Sequence, residues 1–246
     1  MTPRILVIAG SDSGGGAGIQ ADIKAIALMG GHGMTAITAI TAQNTLGVTG
    51  VELVSTAMVL AQIDAVVSDI GVDAVKIGMI GSAETALAVA ARLEAMPEVP
   101  VVFDPVMVAT SGSALADDAT VAAFTRLIAR ATLVTPNLPE LEALGGDPLA
   151  LGTAVLAKGG HATGERILDR LLLPDGREWR WEDSRIDTPH NHGTGCTLAS
   201  AIATGLGRGE ALPDAIAAAR RFVRHALAHA PGLGQGHGPM GFVPLP

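Results

Sequence analysis

Five consecutive residues, His192-Gly193-Thr194-Gly195-Cys196, set two glycines ahead of the sole cysteine in a chain of 246 residues. Leu198, Ile202 and Leu206 then repeat at helical spacing, so the segment opens an apolar helix. Glycines at such a start let backbone N–H groups converge, and the helix dipole adds positive potential there. Together they form an anion site suited to a phosphoryl group in transit. Cys196 falls in the first helical turn, where a thiol pKa tends to be lowered, and a thiolate there could take a proton from a substrate hydroxyl. The competing reading is a small buried residue beside an ordinary helix cap. The candidate catalytic residues are therefore Cys196, Gly193, Thr194 and Gly195.

Carboxylates form a second constellation. Asp104 follows an apolar run, and Asn137 is followed three residues later by Glu140. Carboxylates at adjacent strand ends suit Mg²⁺, which takes few protein ligands and keeps water and phosphate oxygens for the rest. Each residue also has a plainer account, since Asp104-Pro105 is a common strand exit and Glu140 favours a helix N-terminus. Lys158, beside Gly159 and Gly160, is placed either to meet a nucleotide phosphate or to be solvated. Near the N-terminus, Gly16-Ala17-Gly18-Ile19-Gln20-Ala21 fits a dinucleotide-binding turn, but that reading requires an acid at the end of the second strand. The second strand ends instead in Thr41-Ala42-Gln43-Asn44. No P-loop or hydrolase nucleophile elbow occurs in the chain, and its seven histidines, mostly in loops or on a polar helix face, are not expected to form a structural zinc site.

These residues need elements to present them. Residues 4–10 form a short apolar run bounded by glycine, a strand buried on both faces, and Ile19, Ile23 and Ile26 repeat as a helix. Strands are expected over 34–41, 73–79, 100–103, 131–135 and 153–158, with helices over 56–70, 82–95, 117–128 and 138–144. That alternation predicts parallel βαβ units, whose ligands bind beyond the carboxyl ends of the strands. Residues 166–173 and 177–183 flank Pro174-Asp175-Gly176, the turn of a hairpin whose second arm carries Trp179 and Trp181 on one face. Helices over 194–207 and 213–230 follow, and the Gly/Pro/His-rich tail from Pro231 is expected to be a surface strap or partly disordered. No linker or repeat divides the chain, so residues 1–246 are taken as one domain.

Composition narrows the function classes. Hydrophobic residues make up 48% and charged residues 16%, which excludes disordered and coiled-coil classes. A net charge of −8, with 2% aromatics and no tyrosine, argues against a nucleic-acid partner. Mean hydropathy is +0.41, yet the first apolar run ends at Gly10, far short of a spanning helix or secretory segment. A lone cysteine makes no internal disulfide. The expectation is a soluble cytoplasmic protein with no membrane partner.

Several stretches stand in one order along the chain: residues 9–22, Ala42-Gln43-Asn44-Thr45, Lys76-Ile77-Gly78-Met79, Asp104-Pro105-Val106-Met107, residues 135–140, Lys158-Gly159-Gly160-His161 and residues 192–196. This set closely resembles the hydroxymethylpyrimidine/phosphomethylpyrimidine kinases of thiamine biosynthesis, in the ribokinase-like superfamily. The resemblance implies a three-layer α/β sandwich with a mostly parallel central sheet, helices on both faces and an antiparallel edge hairpin. It implies ATP-dependent phosphorylation of a small pyrimidine to its monophosphate and then its diphosphate. Gly10, Asp22, Gln43, Met79 and Val106, with Met107, would line the pyrimidine pocket, and Asp104 and Glu140 would act around Mg²⁺. Asn137, Lys158, Thr194 and Gly195 would face ATP, with Cys196 as the base where ribokinase relatives place an aspartate. A pyridoxal kinase of the same scaffold, or a pyrimidine-binding protein without catalysis, are the alternatives. This chain departs from the family in having His190-Asn191 where Asn-Thr is usual. The stretch from Glu140 to Lys158 is also short by about one helix, an omission expected to bare a sheet face or leave it to a subunit interface. A homodimer or higher homo-oligomer is expected.

Overall fold

Along the first strand Leu6 and Ile8 point one way and Ile5, Val7 and Ala9 the other, and all five are buried. Such a strand needs helices above and below it. The computed structural model, which describes residues 1–109, 112, 114–161 and 164–245, has that arrangement. Its strands are β1 (Arg4–Asp12), β2 (His32–Asn44), β3 (Gly47–Leu53), β4 (Ala74–Ile77), β5 (Val101–Phe103), β6 (Leu133–Val134), β7 (Ala154–Ala157), β8 (Arg166–Leu172) and β9 (Glu178–Ser184). Its helices are α1 (Gly18–Leu28), α2 (Thr56–Asp69), α3 (Ala83–Glu94), α4 (Asp118–Arg130), α5 (Leu138–Ala143), α6 (Thr194–Gly207) and α7 (Leu212–Ala228).

The nine strands join one sheet in the order β3-β2-β1-β4-β5-β6-β7-β8-β9. Pairing is parallel from β2 through β7 and antiparallel at β3, β8 and β9. Helices α2, α3 and α4 pack on one face of the sheet and α1, α6 and α7 on the other, making the expected three-layer sandwich with its edge hairpin. Local chemistry starts several of these helices: Ser55, Ser82 and Asp117 each accept a first-turn N–H of α2, α3 and α4. Strand order reverses at β1, which has β2 on one side and β4 on the other, and this places a ligand crevice beyond its carboxyl end.

Three features differ from the sequence reading or refine it. Strand β3 was not expected: most of its residues are exposed and two are glycine, so no alternating pattern marks it, and pairing with β2 alone makes it a strand. The short stretch after Glu140 bares no sheet face. Leu144 and Leu151 pack onto the core there, and Val134 and Val155 are fully buried. The tail is a strap rather than a loose end. Its His237 N–H donates to the Thr45 carbonyl (2.9 Å), its Gly238 carbonyl accepts from the His192 N–H (3.2 Å), and Met240 is buried.

Candidate active site

A cavity of about 760 Å³ opens along the carboxyl ends of the parallel strands. At one end it is lined by Gly10, Gln43, Met79, Val106 and Met107, so the structure brings together those five of the expected pyrimidine-pocket residues. A Cβ on Gly10 would stand 3.1 Å from Met79 Sδ, so any side chain there would require that thioether to give way by a few tenths of an ångström. The hydrogen bonds at Gln43 that hold it to Ser13 use its backbone, the carbonyl accepting from Ser13 Oγ at 2.6 Å and the N–H donating to it at 2.8 Å. Its side-chain amide can offer both a donor and an acceptor to a ligand.

Asp22 does not join them, contrary to expectation. It lies on the inner face of α1 between Ile19 and Ile26, fully buried, and is absent from the cavity wall. Both its oxygens meet Lys76 Nζ, at 3.0 and 2.9 Å, and Oδ1 also accepts from Ser200 Oγ at 2.7 Å. Burial opposes the charge on Lys76, but Asp22, Cys196 and Asp104 outweigh it and hold that ammonium above its ordinary pKa. The helical period already puts Asp22 on the apolar stripe of α1, a signal that the sequence reading passed over.

The middle of the cavity is polar. Lys158 Nζ donates to Asp104 Oδ1 at 2.8 Å, and Thr135 Oγ1 donates to the same oxygen at 3.0 Å. Lys158 is therefore not a solvated lysine: its side chain is 14% exposed, and Asp104 and Glu140 keep its pKa raised against the opposing effect of burial. Asn137 caps α5 by accepting the Glu140 N–H (2.9 Å) while Glu140 Oε2 accepts the Asn137 N–H (2.8 Å), a reciprocal capping box. Burial, with Asp104 adding like-charge repulsion, pushes the Glu140 carboxyl up to about 7 despite the pull of Lys158 and Asn137. Two crowded carboxylates of this kind are a donor set that a divalent cation would relieve. Among the described residues no cluster of three or more His, Cys, Asp or Glu is poised for a metal, so such an ion would take its remaining ligands from phosphate and water.

Helix α6 meets this centre with its N-terminus. Gly193 is the N-cap at φ 83°, no side chain caps the helix, and Thr194, Gly195 and Cys196 all line the cavity. A Cβ on Gly195 would lie 3.2 Å from Asp104 Oδ2 and 3.3 Å from Lys158 Nζ, so its bare backbone faces that ion pair. Cys196 keeps partial exposure to the cavity, and its sulfur is approached by the Gly18 N–H that opens α1. The expected lowering of its pKa does not hold. Burial pushes the thiol up to about 11, and Asp22 and Asp104 push the same way, against Lys76 and the Gly18 N–H. A helix start lowers a thiol pKa only where desolvation is small, and this one lies inside the fold.

Beyond α6 the cavity continues between Ile167, Ile186, Leu198, Val223 and Leu227, with Arg185, Arg220 and Arg224 beside them. The sequence reading missed this end. Its one local signal is that Arg220, Val223, Arg224 and Leu227 share one face of α7. Asp12 and His192 also line the cavity, and Asp12 organises the glycine turn by accepting N–H groups from Gly14 (2.8 Å), Gly16 (3.0 Å) and Ala17 (2.8 Å).

Residues 12–241 match the family described as Phosphomethylpyrimidine kinase. The hydroxymethylpyrimidine/phosphomethylpyrimidine kinase of Rhizobium meliloti is 48% identical over 98% of this chain and 97% of its own length. The chain spans only 34–52% of the relatives named as multifunctional or bifunctional thiamine biosynthesis proteins ThiED. Among solved structures, an ADP complex of Bacillus subtilis pyridoxal kinase superposes with a TM-score of 0.88 at 33% identity, covering 98% of both chains. Phosphomethylpyrimidine kinase from Clostridium difficile gives a TM-score of 0.78 at 38% identity, covering 92% of this chain and 99% of that one. A family match over nearly the whole sequence, with such identity to a relative covered over nearly its full length, means that the chain belongs to the phosphomethylpyrimidine kinase family.

Proposed function

We propose that residues 1–246 form one kinase domain that moves the γ-phosphoryl group of ATP to the hydroxymethyl oxygen of 4-amino-5-hydroxymethyl-2-methylpyrimidine. It then phosphorylates the monophosphate to the diphosphate, in thiamine biosynthesis. One observation carries this reading: the mouth of α6 and Cys196 line a single cavity together with Gly10, Gln43, Met79 and Val106 and with the Asp104–Lys158 pair. Gln43 would hold the aminopyrimidine edge, with Met79, Val106 and Met107 against the ring. The apolar slot of Ile186, Leu198, Val223 and Leu227 suits a purine base, and the ADP complex of the similar pyridoxal kinase supports nucleotide use.

Phosphoryl transfer passes through a loose, in-line transition state, so catalysis is mainly positioning and charge stabilisation. The N–H groups of Thr194, Gly195 and Cys196 would receive the equatorial oxygens, with Lys158 and Asn137 on the ATP phosphates. The acceptor hydroxyl forms the new P–O bond as the bond from the γ-phosphorus to the β-phosphate oxygen breaks, and its proton passes to the Cys196 sulfur. Lys76 and the Gly18 N–H are the groups of this chain that favour the thiolate needed for that step. Asp104 and Glu140 would hold Mg²⁺, which when bound neutralises phosphate charge.

Exposed Val51 and Leu53 on the edge strand β3 support self-association through a second copy. Among the described residues no helix is long and apolar enough to cross a membrane, and we place the enzyme in the cytoplasm, where ATP and a reduced thiol are both available. The pyridoxal kinase structure keeps pyridoxal as the second acceptor to test. ATP-dependent turnover of hydroxymethylpyrimidine, its monophosphate and pyridoxal decides between them. A higher kcat/KM on the two pyrimidines is expected, and a higher value on pyridoxal overturns the assignment. Binding without ADP formation would mark a silent pyrimidine-binding protein.

A further inference from the structure

Asp12 ends β1 and His192 precedes α6, 180 residues later, yet His192 Nε2 lies 3.1 Å from Asp12 Oδ2 with both side chains buried. The other contacts of the Asp12 carboxylate are the three N–H groups of the glycine turn. Burial works against its charge, but His192 and the Ala17 and Gly14 N–H groups prevail and hold the carboxyl at about 2. An ionised carboxylate only accepts, so Nε2 donates. His192 is also fixed from behind, its backbone N–H donating to the Gly238 carbonyl of the tail strap. The two loops have no slack between them. A Cβ on Gly193 would stand 1.9 Å from the Gly16 carbonyl oxygen, and one on Gly16 would stand 2.6 Å from the His192 ring.

We propose that Asp12 and His192 are positioning residues for phosphoryl transfer, a clamp that holds the glycine turn of the acceptor pocket against the loop that opens α6. The inference rests on the proposed reading of the α6 mouth as the phosphoryl site. Gly18, whose N–H reaches the Cys196 sulfur, follows the turn that Asp12 organises, and Gly193-Thr194-Gly195 follow His192 directly. Releasing the pair therefore moves acceptor and phosphoryl donor relative to each other. A misplacement of about 1 Å costs on the order of 10²-fold in rate. Both residues line the cavity, so direct contact with substrate is the competing account, and the two accounts differ in kinetics.

The test is steady-state kinetics with hydroxymethylpyrimidine and ATP on His192→Ala, His192→Gln, Asp12→Asn and the Asp12→Asn/His192→Ala double variant, each with a melting curve. His192→Ala is expected to lower kcat by about 30- to 100-fold, with KM for both substrates within about threefold of wild type. His192→Gln, which restores a donor near the Nε2 position, recovers most of that loss. The double variant is no slower than the worse single variant, because both remove one interaction. Multiplying single effects, a KM rise as large as the kcat loss, or a folded His192→Ala with kcat within threefold of wild type would each overturn the clamp. If His192→Ala does not fold, the cycle is run with His192→Asn, whose amide is too short to reach Asp12, and the same outcomes decide. A wild-type chain inactive on the two pyrimidines and pyridoxal defeats the functional reading and the clamp with it. An active wild type with an unaffected His192→Ala defeats the clamp alone.

Discussion

Gly195→Ala separates the function of the α6 mouth from its stability. The residue sits in the first turn of a helix and not at a positive φ, so its backbone accepts alanine. Alanine in place of glycine within a helix gains up to about 1 kcal/mol, less near an end. Against this stands the new methyl, 3.2 Å from Asp104 Oδ2 and 3.3 Å from Lys158 Nζ. These neighbours must yield by a few tenths of an ångström, and the Lys158 ammonium is the far end of a long side chain that can shift together with its Asp104 partner. Stability should therefore stay within about 1 kcal/mol of wild type. Activity should not, because the methyl occupies the space between the α6 N–H groups and the Asp104–Lys158 pair. Alanine keeps the backbone N–H, but a methyl that holds the phosphoryl oxygen away from one donor has the effect of losing it, roughly 10²–10³ in kcat, about 2.7–4 kcal/mol, and that is the expected effect. ADP release at saturating pyrimidine, with ATP varied, measures it beside a thermal melt. A folded Gly195→Ala enzyme with kcat and KM for ATP both within threefold of wild type would refute a phosphoryl group at this mouth. Gly193→Ala is no substitute for this test, since φ 83° and a Cβ 1.9 Å from the Gly16 carbonyl oxygen would break the loop itself.

Cys196→Ala should lower kcat by about 10²–10⁴, the range of a positioned base, and leave the melting curve nearly unchanged; near-normal turnover would reassign the proton acceptor. Lys76→Met should destabilise the fold by about 3–5 kcal/mol because Asp22 is left buried and unpaired, and Lys76→Met/Asp22→Leu should regain most of that loss. A neutral single variant in denaturant titration would show that the pair is not ionised. Asp12, held at about 2 against a reference of 3.8, adds stability that is fully present above its unfolded pKa and is lost as pH falls from near 4 to near 2. The loss amounts to about 2 kcal/mol. Asp12→Asn should lack this acid dependence, and equal slopes for the two proteins below pH 4 would contradict it.

Much of this architecture is local and therefore legible in one dimension. Buried parallel strands show as short apolar runs, α6 shows in Leu198, Ile202 and Leu206, and Trp179 and Trp181 mark the buried face of the edge hairpin, where they pack on the core. Strand β3 was not legible, because an exposed, glycine-containing edge carries no hydrophobic period and exists through pairing with β2. The strap was half legible: its composition marks a loop, while its course is set by contacts with Thr45 and His192, far away in the chain.

At the site, the sequence by itself determined which reactive groups are available and that strand ends and helix starts would carry them, because capping and turn chemistry act over a few residues. Only the tertiary structure decided how those groups are charged and paired. It withdrew Asp22 from the pocket to meet Lys76, bound Lys158 to Asp104, joined His192 to Asp12 and raised the Cys196 thiol instead of lowering it. Desolvation and Coulomb interaction depend on distances between residues remote in the chain, and folding alone sets those distances.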